Sequence, residues 1–494
     1  MFLTLRASLN PTKRTTMESS RVFSIFSEIT KIPRESGHEE HIIKYLEDFA
    51  LSAGLECKKD KAGNVVILKP ASAGMEDAPT VILQSHSDMV CEKNSGTIHD
   101  FRVDPIKVTE EDGWLIAKET TLGADCGIGM AAQLAILEAK SLVHGPIEAL
   151  FTTEEETGLT GAKSLESGFL KGSVLINLDS EDEGELFIGC AGGIDTTGWF
   201  KYSPRRCRDG VKFLKYGVFG ATGGHSGDDI EKNRANANQI LLRFLYEAYT
   251  MYEISLCEID GGNKRNAISR EAYAVISADP KDEQQLNELF QRIVSEAQHE
   301  HFISDPNLAG KIGNAQQSEN CIDNETFIRL VCSLYSMPHG VLSMSQTIPG
   351  FVETSTNLAS IKMVSEGIIK VATSQRSAIS SAKHNAAKRV EAVLKLAGAE
   401  VTHESEYPGW QPNPDSKVLK VTEQSYRELF PNPPIIRAIH AGLECGILID
   451  KFPHLDIISF GPTVKGAHAP GERLEIASVD KFWKLLVDVL AKLK

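Results

Sequence analysis

Val81-Ile-Leu-Gln-Ser-His-Ser-Asp-Met-Val90 is the stretch on which the reading of this chain turns. Val81 to Gln84 reads as a short buried strand, and His86 and Asp88 follow where that strand should end. Residues two apart in extended chain point to the same side, so the two share a direction. A carboxylate on the second ring nitrogen is how a metal-bound imidazole is usually oriented. Taken alone, a His-x-Asp is more often a polar strand end. What changes the balance is that acids and histidines recur at other strand ends along the chain.

Working outward, 22–32 and 38–53 carry apolar residues at helical period, and 56–61 and 64–68 read as two strands joined by a turn at Ala62-Gly63. A strand at 114–118 precedes the glycine-rich Thr121-Leu-Gly-Ala-Asp-Cys-Gly-Ile-Gly129, which leads into a helix over 130–139 and sets Asp125 at the turn. The 147–152 strand runs straight into Glu154-Glu155-Glu156, and the 174–178 strand into Asp179. Strands alternating with helices predict an α/β domain with a largely parallel sheet. Ligands of such sheets gather beyond the carboxyl ends of the strands.

From 212 to about 401 the pattern changes to strand pairs bracketed by longer helices, which predicts an α+β domain. After Tyr407 the α/β character returns, with a 415–430 helix, strands at 434–439 and 456–460, and a closing helix over 479–493. The 456–460 strand leads into Gly461-Pro-Thr-Val-Lys-Gly-Ala-His468. The expected architecture is one α/β domain built from 17–194 and 403–494, with 195–402 inserted as an α+β lid.

The 494 residues allow two to three domains. A formal charge of -15 argues against nucleic-acid binding, which would show basic stripes. No apolar run is long enough to cross a bilayer. Nine scattered cysteines, odd in number and never Cys-x-x-Cys, predict reduced thiols in a cytosolic setting. Residues 1–16 hold Arg6, Lys13 and Arg14 but no acid. They read either as an organellar transit peptide or as sequence ahead of a true start at Met17, and the second is preferred.

The strand-end candidates are His86, Asp88, Asp125, Glu155, Glu156, Asp179 and His468. Mixed imidazole and carboxylate donors suit zinc, or less specifically manganese or cobalt. Three ligands hold a single catalytic zinc; five suggest two metals about 3.5–4 Å apart sharing a carboxylate. Crowded acids would repel one another without cations. A further carboxylate must act as general base, and the pair Glu155-Glu156 can supply both a base and a ligand.

These motifs resemble the dinuclear-zinc aminoacylase and carboxypeptidase group of metallopeptidases, and within it the non-specific dipeptidase branch. The resemblance runs from about Ser20 to Leu493. Besides the stretches quoted above it includes Gly223-Gly-His-Ser-Gly227, Gly261-Gly-Asn-Lys-Arg-Asn266, Tyr407-Pro-Gly-Trp-Gln-Pro412 and His440-Ala-Gly-Leu-Glu444. Each is weak alone; in this order they are specific. The resemblance implies a zinc-exopeptidase fold that hydrolyses unblocked dipeptides, Xaa-His included. It makes His86, Asp125 and Asp179 ligands of one zinc and Asp125, Glu156 and His468 ligands of the other. Asp88 would then orient His86, and Glu155 would be the base. Cys126 departs from the family, where an acidic or amide residue often follows the bridging aspartate.

On the substrate side, the resemblance implies that His225 steadies the oxyanion and that Asn266 contacts substrate, although Asn266 also fits a plain turn. Arg376, otherwise a surface ion-pair residue, is the candidate fork for a substrate carboxylate. Glu444 is either the reader of the substrate ammonium or a buried structural partner. The partner implied is a small peptide, with a homodimer left open and neither nucleic acid nor membrane expected. Alternatives are an N-acyl amino acid hydrolase, an aminopeptidase on longer peptides, or a metal-free binding protein of the same fold.

Overall fold

The Val81–His86 strand is buried at all six residues because it lies between two parallel neighbours, Ile147–Thr152 and Val174–Asn177. A central strand of this kind must be apolar on both faces. This computed structural model describes the backbone of residues 11–494 and side chains from Ser20 onward. The first ten residues, with much of the transit-peptide or upstream-start question, lie outside the described residues. A helix already spans Pro11–Ile29, and the period read from Val22 marks the part that buries Val22, Ile25, Phe26 and Ile29.

The chain divides into two compact units. The first takes the chain up to Gly189 together with Pro412–Ala438 and Ile447–Lys494; the second is Cys190–Gln411 with Ile439–Gly446.

The first unit is built on an eight-stranded mixed sheet. Its order is Glu56–Lys59, Val65–Lys69, Ile147–Thr152, Val81–His86, Val174–Asn177, Asp456–Ser459, Glu185–Cys190 and Ile435–Ile439. The four strands from Ile147–Thr152 to Asp456–Ser459 are parallel, so their carboxyl ends share one edge. Antiparallel strands flank them. The Ala124–Glu138 helix, rich in Ala, Gly and Ile, is buried almost all round, as expected of a helix with no polar stripe. This is the mixed, largely parallel α/β sheet the alternation predicts.

The second unit is an antiparallel nine-stranded sheet with helices Ala237–Met251, Glu283–Glu300, Asn324–Ser336 and Ser380–Leu396. Its core includes Tyr216, Phe244 and Phe290, whose ring centroids lie 4.5–5.1 Å apart. Such aromatic packing adds about 0.5–1.5 kcal/mol per pair beyond the area buried. Strand Glu400–Tyr407 pairs with Gly192–Lys201 at the sheet edge, so the boundary expected between 402 and 403 falls inside a strand of this unit. Its exposed Glu400, His403 and Glu404 are the charges that guard an edge strand.

The expectation that every thiol is reduced needs correction. Cys207 and Cys321 form a disulfide, with Cα atoms 5.8 Å apart. The pairing of Pro204–Arg206 with Asn320–Ile322 sets Arg206 opposite Asn320 and so draws the two cysteines together. Among the described residues no helix is long and apolar enough to cross a membrane.

Candidate metal centre

Four side chains from separate parts of the first unit gather around a fifth, Asp125. His86 closes its strand; Asp179 stands two residues beyond Val174–Asn177; Glu156 lies in the turn after Ile147–Thr152. Asp125 sits in the first turn of the Ala124–Glu138 helix, and its peptide bond to Cys126 is cis. His468 comes from a loop late in the chain, with φ at 63°.

Asp125 Oδ1 lies 3.0 Å from His86 Nε2 and its Oδ2 lies 3.0 Å from His468 Nε2. Asp179 Oδ1 is 3.2 Å from His86 Nε2, and Glu156 Oε1 is 2.9 Å from His468 Nε2. Asp125 faces both histidines, with Asp179 beside His86 and Glu156 beside His468, and a donor atom of Glu156 also falls within 4.8 Å of those of His86 and Asp125.

Does this set suit a metal? One ring proton on His86 Nε2 cannot serve both carboxylates that face it. Glu156 Oε1 and Asp179 Oδ1 are buried without a hydrogen-bond partner, although histidine nitrogens stand close enough. The distances are met while the donor angles are not, which is how lone pairs aimed at a common cation are arranged. Charge points the same way. Burial pushes Asp179 up to about 6, with Asp125 adding to the effect against the pull of His86. Burial raises Glu181 to about 8, helped by Asp125 and Asp179. Burial would lower His86, but Asp179, Asp125 and Asp88 hold it well above its ordinary value. Hydrogen bonds to Asp125 and Glu156 carry His468 up to about 11. With no other cation the cluster keeps its protons; divalent ions would replace them. The donor atoms fit. Cys126 is not needed as a donor, since burial, with Asp179 next, raises its thiol far above the usual range and it points at Leu178 O, 3.4 Å away.

Asp88 locks this arrangement from behind. Its carboxylate is 3.3 Å from His86 Nδ1 and its carbonyl 3.2 Å, leaving Nε2 for the cluster. The same carboxylate accepts from Ser36 Oγ at 2.7 Å and from the amides of Glu155 and Glu156 at 3.1 and 3.2 Å. One buried acid thus fixes a histidine and the turn that carries Glu155 and Glu156.

Two further residues in this framework escape a reading of the letters. Glu472, 2 % exposed, accepts from the amides of Leu122, Gly123, Ala124 and Asp125 at 2.8, 3.0, 2.8 and 3.4 Å. These are the orphan amides of a helix start. Arg34, also 2 % exposed, donates to the carbonyls of Ser87, Asp88 and Gly123. Gly123 is left-handed at φ 70°, and a Cβ there would come within 2.4 Å of the Arg34 guanidinium. A generic Glu or Arg carries no spacing signal; only the fold shows the role.

The substrate-side candidates lie in the second unit. His225 and Arg376 approach to 3.4 Å, and Arg376 also donates to the Tyr407 hydroxyl at 2.9 Å. Asn266 is beside His225, since its carbonyl accepts from Ser226 N at 2.8 Å and Ala267 pairs with His225. Burial and then Arg376 hold His225 below its ordinary value. His440, unassigned by sequence reasoning, bonds Ser355 Oγ through Nε2 at 2.7 Å. Burial, followed by Arg376 and His225, lowers it to about 3. Glu444 is fully buried at the start of the Glu444–Lys451 helix.

With this geometry in view, the sequence model of the peptidase family M20/M25/M40 matches residues 82–492. The chain belongs to the M20/M25/M40 peptidases. It is therefore of the hydrolase class. It is 39% identical over 475 residues to the cytosol non-specific dipeptidase of Escherichia coli K12, a match covering 96% of this chain and 97% of that protein. Among solved structures, the aminoacylhistidine dipeptidase of Vibrio alginolyticus superimposes with a TM-score of 0.90 at 38% identity. That match covers 99% of this chain and 98% of the other. Aminopeptidase PepT from Bacillus cereus, at 16% identity, shares the fold with a TM-score of 0.57 over 96% of this chain and 98% of that one.

Proposed function

We propose that this chain is a two-metal dipeptidase that hydrolyses short peptides with free amino and carboxyl ends, including Xaa-His. The observation that carries the reading is the Asp125 carboxylate, which offers one oxygen to each histidine–acid group. His86, Asp125 and Asp179 would hold one divalent ion, and Asp125, Glu156 and His468 the other. Zinc is the expected metal, with manganese or cobalt as alternatives. The chemistry such ions supply is Lewis-acid polarisation of the scissile carbonyl and a lowered pKa of water.

The chain's own residues do the rest. Glu155 takes the proton from the attacking water and returns it to the leaving amine. Asp88 holds His86 and the Glu155 amide in register. The amides of Gly227 and Asp228 face His225 Nδ1 at 3.3 Å, so the neutral ring carries its proton on Nε2 and donates to the developing oxyanion. With Nε2 protonated, the 3.4 Å approach of Arg376 sets two donors side by side, suited to two anionic groups of one substrate. Arg376 reads the substrate carboxylate, Asn266 contacts the peptide, and Glu444 reads the ammonium. The inserted unit in this reading is the substrate-binding lid. A cytoplasmic setting completes the proposal, in keeping with the cytosol relative of Escherichia coli.

The test is hydrolysis of an unblocked dipeptide, an N-acyl amino acid and a tripeptide, each with and without a chelator. Cleavage of the dipeptide in preference to the other two, abolished by chelation and restored by a divalent ion, is expected. Preference for the N-acyl amino acid would make it an aminoacylase. Chelator-resistant cleavage would remove the metal reading.

A further inference from the structure

Cys207, Cys257 and Cys321 bring three sulfur atoms within 4.8 Å of one another in the second unit, apart from every residue assigned to hydrolysis. Cys321 is the middle one: it is bonded to Cys207, and its Sγ lies 2.8 Å from that of Cys257. Cys257 and Cys321 are 4% and 2% exposed against Phe213 and Val275, whereas Cys207 is only half-buried. A structural bridge needs two cysteines. A third thiol held against the shared sulfur supplies the internal nucleophile that disulfide exchange requires. The access is one-sided as well, since a reagent meets Cys207 first.

We propose that these three cysteines form a thiol–disulfide exchange site, in which Cys321 is shared between a bridge to Cys207 and an alternative bridge to Cys257, and which is oxidised by a low-molecular-weight disulfide. Starting from three thiols, the Cys207 thiolate attacks one sulfur of the external disulfide; that S–S bond breaks and one small thiolate leaves. Cys321 then loses its proton and attacks the Cys207 sulfur, displacing the second small thiolate. The two cysteine protons end on the two departing thiols, and two electrons have passed from the cysteines to the external disulfide. In the exchange step Cys257 loses its proton and attacks the Cys321 sulfur. The bond to Cys207 breaks, and Cys207 leaves as thiolate and is protonated, with no net redox change.

The two bridges tie different elements. Cys207–Cys321 fastens the two-stranded ribbon of Pro204–Arg206 and Asn320–Ile322 to itself. Cys257–Cys321 would fasten that ribbon to Ile254–Gly261, a strand of the nine-stranded sheet, and free the half-buried Cys207 for an external thiol. Burial pushes the Cys257 thiol up to about 12. The exchange is therefore slow at neutral pH and accelerates as pH rises, because the thiolate is the nucleophile.

The test oxidises the full-length, pre-reduced protein with oxidised glutathione at mildly alkaline pH, traps free thiols by alkylation and maps the bridges by mass spectrometry without reduction. The parent should first give a Cys207–Cys321 link; once the oxidant is removed, longer incubation with an alkylating agent that captures the released Cys207 should convert it to a Cys257–Cys321 link. Cys321→Ser should retain glutathione on Cys207 with no internal bridge, and Cys257→Ser should keep the Cys207–Cys321 link throughout. Thermal melts show that each variant is folded. Absence of the Cys257–Cys321 link in the parent after that incubation overturns the proposal. So does a Cys207–Cys257 bridge forming in Cys321→Ser as readily as the parent bridge. Stoichiometric zinc uptake that protects all three thiols also overturns it and makes the cluster a metal site.

Discussion

Glu472 accepts a hydrogen bond from the amide of Asp125 across 347 residues of chain, and the same carboxylate holds the three amides before it. The position of the Asp125 carboxylate between the two histidines is thus set by an acid that faces neither of them. Glu472→Gln replaces one acceptor oxygen by a donor facing two amides. Metal affinity should fall about 10–100-fold, the usual cost of losing such support. The Glu472→Asp variant, which keeps the charge at shorter reach, should fall between. Calorimetric titration of metal into the apo-protein measures this, and a Glu472→Gln protein binding as tightly as the parent would show the clamp to be idle.

Asp125→Ala removes both oxygens that face the histidines. Elemental analysis should find both ions depleted, whereas Asp179→Ala and Glu156→Ala should each deplete one preferentially. Two full equivalents in Asp125→Ala would end the bridging assignment.

Glu155→Gln is nearly isosteric and cannot accept a proton. Its kcat should drop by roughly 10²–10⁴-fold with metal content unchanged, the range that general-base catalysis contributes. Should Glu155→Gln lose metal while Glu156→Gln keeps it, the two neighbours have exchanged roles.

Selectivity separates Arg376 from Glu444. Arg376→Met should raise KM for a dipeptide far more than for its C-terminal amide. Glu444→Gln should raise KM for the free dipeptide and narrow its advantage over the N-acetylated form. Equal damage to both substrates, or collapse of metal binding, would make Glu444 structural.

His440 gives a pH signature. Its folded value is depressed to about 3 by burial and the nearby Arg376 and His225, so the fold favours the neutral ring. The sign follows: the unfolded chain binds a proton below about pH 6.5 that the native chain refuses. The stability contribution is complete above that pH and is lost as pH falls towards 3, at up to about 1.4 kcal/mol per pH unit. Thermal melts between about pH 4 and 7 should show a shallower decline for His440→Gln than for the parent. Parallel curves would mean that His440 titrates normally.

Some of this was legible in the letters for a physical reason. A buried parallel strand must be apolar throughout, so Val81 to Leu83 could hardly be read otherwise, and the polar residues after it had to fall at the strand end. The same logic located Glu155, Glu156 and Asp179. Strand Glu400–Tyr407 was less readable because an exposed edge strand rich in Glu and His lacks the apolar alternation that marks strands. Glu472 and Arg34 were invisible because a charged residue is ordinarily solvated, and only long-range packing makes either one buried. The Cys207–Cys321 pair, 114 residues apart, had no spacing pattern to announce it.

The order in which the chain is synthesised acquires a meaning from the sheet. Strand Asp456–Ser459 fills the place between Val174–Asn177 and Glu185–Cys190, and His468 and Glu472 follow it. While a ribosome is still translating the inserted segment, the Val174–Asn177 strand has an unpaired side, the kind of edge that invites aggregation. Asp125 then has neither its second histidine nor its clamp. A chain lacking the 456–472 stretch therefore has both an open sheet edge and incomplete surroundings for Asp125.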